Sequence, residues 1–167
     1  MLDRFRSVYR EFPSHFWTLV LGIFIDRLDG ALIFPFLSLY ITARFQVGML
    51  VVGQLFAIYS VASLFGVFLG GALTDRFGRK KMLIIGLLVS GLSSIAMGVV
   101  DDLRLFFSFA ALVGLLSSVG EPAGQAMVAD LLPEAKRTQG YGVLRVGVNL
   151  AVTIGPAVGG LLAGISY

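Results

Sequence analysis

Six residues stand where a long apolar chain tolerates polar groups only for a reason. Asp26, Arg27 and Asp29 interrupt the first apolar run, Glu121 the fourth, and Arg145 and Asn149 the fifth. A charge inside a bilayer costs about 2.5 to 3.5 kcal/mol on insertion scales, so each needs a partner, water or a task. A carboxyl group kept from water and beside a like charge stays protonatable, which suits coupling a proton to another movement. Asp26 and Asp29 are three residues apart and are expected to share a helix face, with Arg27 pointing elsewhere. They read either as lining a polar cavity or as part of a structural ion pair between helices.

Glu121 lies about eleven residues before the end of its run, about 16 Å deep at ~1.5 Å per residue, which is close to mid-membrane. Pro122 follows it. A proline frees a backbone carbonyl one turn earlier, so local unwinding and a polar pocket are expected there, with Ser117 or Ser118 as alternative partners that would simply satisfy a buried acid. Arg145 and Asn149 are four apart and stack on one helix face. Arg145 is the natural counter-charge for an acid on a neighbouring helix: Glu121, Asp26 or Asp130.

Other chemistries lack their residues. The chain has no cysteine and one histidine, His15, at the edge of the first apolar run. Thiol chemistry and cysteine-ligated metal are therefore excluded, and a histidine-based site is disfavoured. No nucleophile and base pair is visible, so an enzyme is not expected, nor is a metal or an organic cofactor.

The elements that must hold these groups follow from composition. Of 167 residues, 57% are apolar and 14% charged, with a mean hydropathy of +0.90. Soluble domains carry about 25% charged residues, so a soluble enzyme, a disordered tail and a free-standing nucleic-acid domain are disfavoured. Five apolar stretches, roughly 15–42, 48–73, 82–100, 105–132 and 138–166, are each long enough to span a membrane. Strict alternation of polar and apolar residues is absent, which favours helices over a barrel. The expectation is an all-α membrane protein forming one partial transmembrane bundle over residues 1–167.

Cation placement gives orientation. Arg4, Arg6, Arg10, Arg76, Arg79, Lys80, Lys81, Lys136 and Arg137 fall on one side of this arrangement and only Arg44 and Arg104 on the other. Nine against two places the amino terminus in the cytoplasm, and the net charge of +3 needs no nucleic acid to explain it. The first run is broken by Asp26, Arg27 and Asp29 with no small-residue cleavage site after it, so it reads as a retained helix rather than a signal peptide. Gly66 and Gly70, Gly120 and Gly124, Gly155 and Gly159, and Gly160 and Gly164 are each four apart, a spacing that lets helix backbones approach closely. Pro156 marks an expected kink.

Two motifs carry a resemblance. The second loop reads Gly71-Ala72-Leu73-Thr74-Asp75-Arg76-Phe77-Gly78-Arg79-Lys80-Lys81, and its glycine, aspartate, arginine, glycine and basic run closely resemble the signature loop of the major facilitator superfamily. In the fifth stretch Gly142, Gly155, Pro156, Gly159 and Gly160 resemble the motif of that superfamily's drug and proton antiporters, with Ala151 standing where the pattern has glycine. The run from Pro122 to Pro133, with Arg145 and Asn149, is similar to bacterial members. One departure is that the family's fourth helix usually carries an arginine in its outer half linked to proton transfer, and Ala110 to Gly114 contain none.

The resemblance implies five of the six helices of an amino-terminal bundle, hence a fragment, a truncated product or one piece of an assembly that lacks a second bundle or partner chain. It implies an exporter of small, hydrophobic compounds in a bacterial or archaeal plasma membrane, driven by protons as coupling ion and working by alternating access between bundles. Asp75 with Gly71, Arg76, Gly78, Arg79 and Lys80 would form the gating loop, and Asp26, Asp29, Glu121, Arg145 and Asn149 the cavity and proton path. Membrane lipid and a small-molecule substrate are the implied partners. Two alternatives stand beside it: a sugar or metabolite transporter of the same superfamily, and a non-transporting helical membrane protein that assembles with partners.

Overall fold

Hydropathy alone marks where a helix is apolar, while its ends are set by backbone chemistry, and both effects are visible here. The computed structural model describes the backbone of residues 11–166 and the side chains of residues 11–161; Arg4, Arg6 and Arg10 lie outside the described residues. The elements are α1 (Ser14–Phe45), α2 (Met49–Phe77), α3 (Arg79–Met97), α4 (Leu103–Ser117), a 3-10 turn (Ser118–Gly120), α5 (Glu121–Leu131) and α6 (Glu134–Ser166). No strand occurs among the described residues. α2 runs past its apolar stretch through Asp75 and Arg76 and stops where Gly78 takes a φ of +91°, a conformation that side-chain-bearing residues avoid. α3 stops at Met97 although Gly98, Val99 and Val100 continue the apolar run, because tighter backbone bonds from Gly98 to Ile95 and Val99 to Ala96 close the last turn. Asp102 caps α4, its carboxylate accepting from the Leu105 amide at 2.9 Å.

Among the described residues four stretches are long and apolar enough to cross a membrane: Met49–Phe77, Arg79–Met97, Leu103–Leu131 and Glu134–Leu161. α1 is not among them; at 32 residues it has the length, but three of the four residues from 26 to 29 are charged. Many large apolar side chains turn outward, among them Leu50, Phe68, Leu92, Ile95 and Leu161. Such a surface is stable against lipid and would be an aggregation hazard in water.

The bundle is held by a pair of apolar clusters, one at each end. Phe12, Phe16, Leu19, Met82, Leu83, Val119, Ala123, Val128, Leu132 and Leu144 form one, and Ile41, Val52, Leu55, Phe106 and Ala110 the other. Between them small residues bring backbones together. Gly155 and Gly159 of α6 meet Ala31 and Leu32 of α1, and a Cβ at Gly155 would fall 2.5 Å from that of Ala31. Gly66 and Gly70 of α2 lie on the Leu115 and Val119 backbone, and Gly86 of α3 lies on Gly120. Of the other two pairings, Gly120 lies on Gly86 while Gly124 meets the Ile23 and Leu83 side chains, and Gly160 meets the Phe36 ring; Gly164 lies outside the residues whose side chains are described.

The described cations segregate by end. Lys136 Nζ donates to the Glu11 carbonyl oxygen at 2.9 Å, beside Phe12, and Arg79 pairs with Asp130 at that same end. Arg44 pairs with Asp101 at the other, and the hydrogen bond and charge of Asp101 push Arg44 above its ordinary arginine value.

Candidate functional site

The fourth span is broken where Pro122 predicts it. α4 ends at Ser117, three residues take the tighter 3-10 turn, and α5 begins at Glu121. Pro122 has no N–H for the carbonyl one turn back, so the ladder opens there. The break is pinned rather than loose: the Ser118 hydroxyl bonds that of Ser63 on α2 at 2.6 Å, and the Ser117 hydroxyl donates back to the Val113 carbonyl at 2.6 Å.

At this break a crevice of about 440 Å³ opens. Its walls come from α1, α2, α3, the broken fourth span and α6. Its lining includes the polar groups of Asp26, Arg27, Glu121, Gln125, Ser90 and Ser117 and the rings of Phe34 and Tyr59. Phe34 stacks on Phe56, ring centroids 4.8 Å apart, which fixes its plane at the edge of the space. Across the crevice Arg27 Nη2 of α1 lies 3.2 Å from Glu121 Oε1, each side chain a little under half exposed.

The placement of the acids differs from the sequence expectation in a specific way. Asp26 and Glu121 line the crevice, and so does Arg27. Asp29 does not; it accepts a hydrogen bond from the Ser94 hydroxyl of α3 at 2.5 Å. The crevice face of α1 is read from Ile23, Asp26, Arg27, Gly30, Ala31, Phe34 and Pro35. At about 100° per residue Arg27 falls near the middle of that arc, Asp26 at its edge and Asp29 well outside it.

Arg145 is not the counter-charge of any of the three acids considered for it. Glu121 pairs with Arg27 and Asp130 with Arg79, and Asp26 has no ion pair among the described residues. Arg145 and Asn149 are exposed and outside the crevice lining. They do share a helix face with Val152 and Pro156, which line it, but Arg145 sits about 10 Å further along the helix from Val152 at ~1.5 Å per residue. Of the glycine-proline motif, Pro156 lines the crevice, Gly155 and Gly159 seat α6 on α1, Gly160 touches Phe36 and Gly142 meets nothing within 4 Å. α6 stays one helix through Pro156.

The loop motif forms a second, shallower hollow of about 430 Å³ at the end of the bundle that holds Lys136. Thr74, Asp75, Gly78, Arg79 and Lys80 face Met127, Asp130 and Leu131 of α5 across it. Arg79 reaches Asp130, tying the loop to the end of the fourth span, while Asp75 is exposed. Gly71 and Arg76 are outside this hollow, and Arg76 lies over the Phe77 ring at 5.5 Å. Arg137 Nε donates to the Ala129 and Leu132 carbonyls at 3.1 and 3.3 Å, closing α5 from the side of α6. Two residues escape sequence reasoning. Arg27 is hidden because one sequence does not reveal which arc of α1 faces inward, and Asp130 as partner of Arg79 because fifty-one positions separate them. The like end of both helices was the available signal for the second.

Comparison with known proteins adds to this geometry. The family model for the Major Facilitator Superfamily matches residues 19–167. The chain is 34% identical to a Na(+), Li(+), K(+)/H(+) antiporter of Planococcus maritimus over 86% of its own length and 34% of that protein's. It is 32% identical to multidrug resistance protein 2 of Bacillus subtilis, covering 92% of itself and 38% of that relative. To multidrug resistance protein MdtG of Yersinia enterocolitica it is 34% identical, over 86% and 35%. The chain thus spans about a third of the length of the relatives it matches. With the broken fourth span, the charged crevice and the docked aspartate loop in one all-helical membrane bundle, this match over nearly the whole chain shows that the protein belongs to the major facilitator superfamily of transporters.

Proposed function

We infer that this chain is the crevice-bearing part of a proton-coupled exporter of small hydrophobic compounds, seated in a bacterial plasma membrane and working by alternating access. The observation that carries the reading is the crevice itself: acids at mid-bundle beside a break in the fourth span, with aromatic rings at the same opening. Charged groups at that depth suit ion coupling, and Phe34 and Tyr59 offer an apolar cargo a flat surface. The names of the relatives, two multidrug resistance proteins and a cation/proton antiporter, agree in class. The second bundle, or a partner chain, would close the other side of the crevice, and the loop around Asp75 would gate the inner end.

The test uses the full gene product in proteoliposomes carrying a pH gradient. Adding a hydrophobic drug should evoke proton movement, and Asp75→Asn should reduce its rate severalfold while leaving protein yield unchanged. Equal flux in the variant would remove Asp75 from gating. Proton movement evoked by sugars and not by drugs would transfer the protein to the metabolite-transport reading.

A further inference from the structure

Three acids lie in or near the middle of the bundle, and their surroundings are not alike. Asp29 is off the crevice and is satisfied by the Ser94 hydroxyl. Asp26 faces the crevice from the edge of the α1 arc, with no ion pair among the described residues. Glu121 alone combines three features: it faces the crevice, begins the helix that follows the break, and is held by a cation on a different element. We propose that Glu121 is the acid that carries the coupling proton, and that Arg27 is the positioning residue that sets when it does so. The proposal deepens the proton-coupled reading given above and rests on it.

The argument is one of charge and leverage. With Glu121 ionised, Arg27 draws α5 toward α1 and the crevice wall is neutral across that pair. When Glu121 takes one proton it becomes a neutral acid, Arg27 keeps its own proton, and the attraction that joins the two helices is gone. The guanidinium is then free to turn toward Asp26, the other acid on the wall. The tie being released joins α1 to the first residue after the 3-10 turn, so the change in attraction falls where the fourth span changes its helical form. Tyr59 of α2, Ser90 of α3, and Val152 and Pro156 of α6 face the same space. Glu121 therefore has one close cation to lose and one nearby acid to compete for it.

The full gene product in proteoliposomes supplies the test, with drug-evoked proton movement and drug counterflow measured as functions of pH. Glu121→Gln should abolish evoked proton movement yet keep counterflow, which needs the cargo site and no net proton. Arg27→Gln should move the midpoint of the pH profile upward by about one unit, because a carboxylate stripped of its cation protonates more readily. Arg27→Lys should return the midpoint most of the way, and Asp29→Asn should leave evoked proton movement in place. A wild-type protein that moves no protons overturns the coupled reading and this assignment together. A wild-type protein that moves them, with Glu121→Gln doing the same or Arg27→Gln leaving the midpoint unmoved, overturns the assignment alone.

Discussion

At the residue scale the broken span is secured by hydroxyl groups as much as by charge. Ser63 on α2 and Ser118 in the 3-10 turn bond at 2.6 Å, where a helix with an opened ladder has spare polar groups to satisfy. Interhelical hydrogen bonds in membranes average about 0.6 kcal/mol and reach about 1.7 kcal/mol. A double-mutant cycle of Ser63→Ala and Ser118→Ala, followed by thermal unfolding in detergent, should return a coupling within that range; additive effects would mean the bond contributes nothing. The acids show how far residue identity alone reaches. That Asp26 and Glu121 need a partner or a polar space is legible from their apolar runs, but which of the two each has is not: both line the crevice, and Glu121 is also ion-paired to Arg27. Asp29 has the same signature in sequence and a different fate, since its neighbour Ser94 is sixty-five positions away and belongs to another helix.

At the scale of elements the seam between α1 and α6 depends on absent side chains. Gly155 and Gly159 face Ala31 and Leu32 so closely that a Cβ at Gly159 would lie 2.7 Å from the Leu32 carbonyl oxygen. Gly155→Val should force the pair apart, with a loss of about 1 to 3 kcal/mol seen as a lower melting temperature. Gly142→Ala, in open space on the same helix, should change little and serves as the comparison. Helix existence was readable from apolar length, and the break in the fourth span from one proline. Helix ends were less so: the apolar stretch expected at 82–100 becomes Arg79–Met97, because the positive φ of Gly78 and the closing turn at Gly98 decide the limits and hydropathy does not. Which face of α1 turns inward was not readable at all, since Ile23, Gly30 and Phe34 are unremarkable without their neighbours.

At the scale of the whole molecule, the ends of the bundle differ in charge, and that difference predicts orientation. The end holding Arg76, Arg79, Lys80, Lys81, Lys136 and Arg137 should face the cytoplasm. The native chain has no cysteine, so single cysteines report cleanly. In intact cells a membrane-impermeant thiol reagent should label Arg104→Cys and should label Lys80→Cys only after the cells are opened; the reverse pattern would invert the topology.

The separation of the two apolar clusters bears on more than assembly. Phe16 and Val128 anchor one end, Ile41 and Phe106 the other, and the crevice occupies the interval between. At the waist the hollow lies beside seams where Gly66, Gly70, Gly86 and Gly155 hold main chain against main chain, so contact there is made by backbone. A side chain introduced at these glycines would therefore spread the waist before it disturbed either rim.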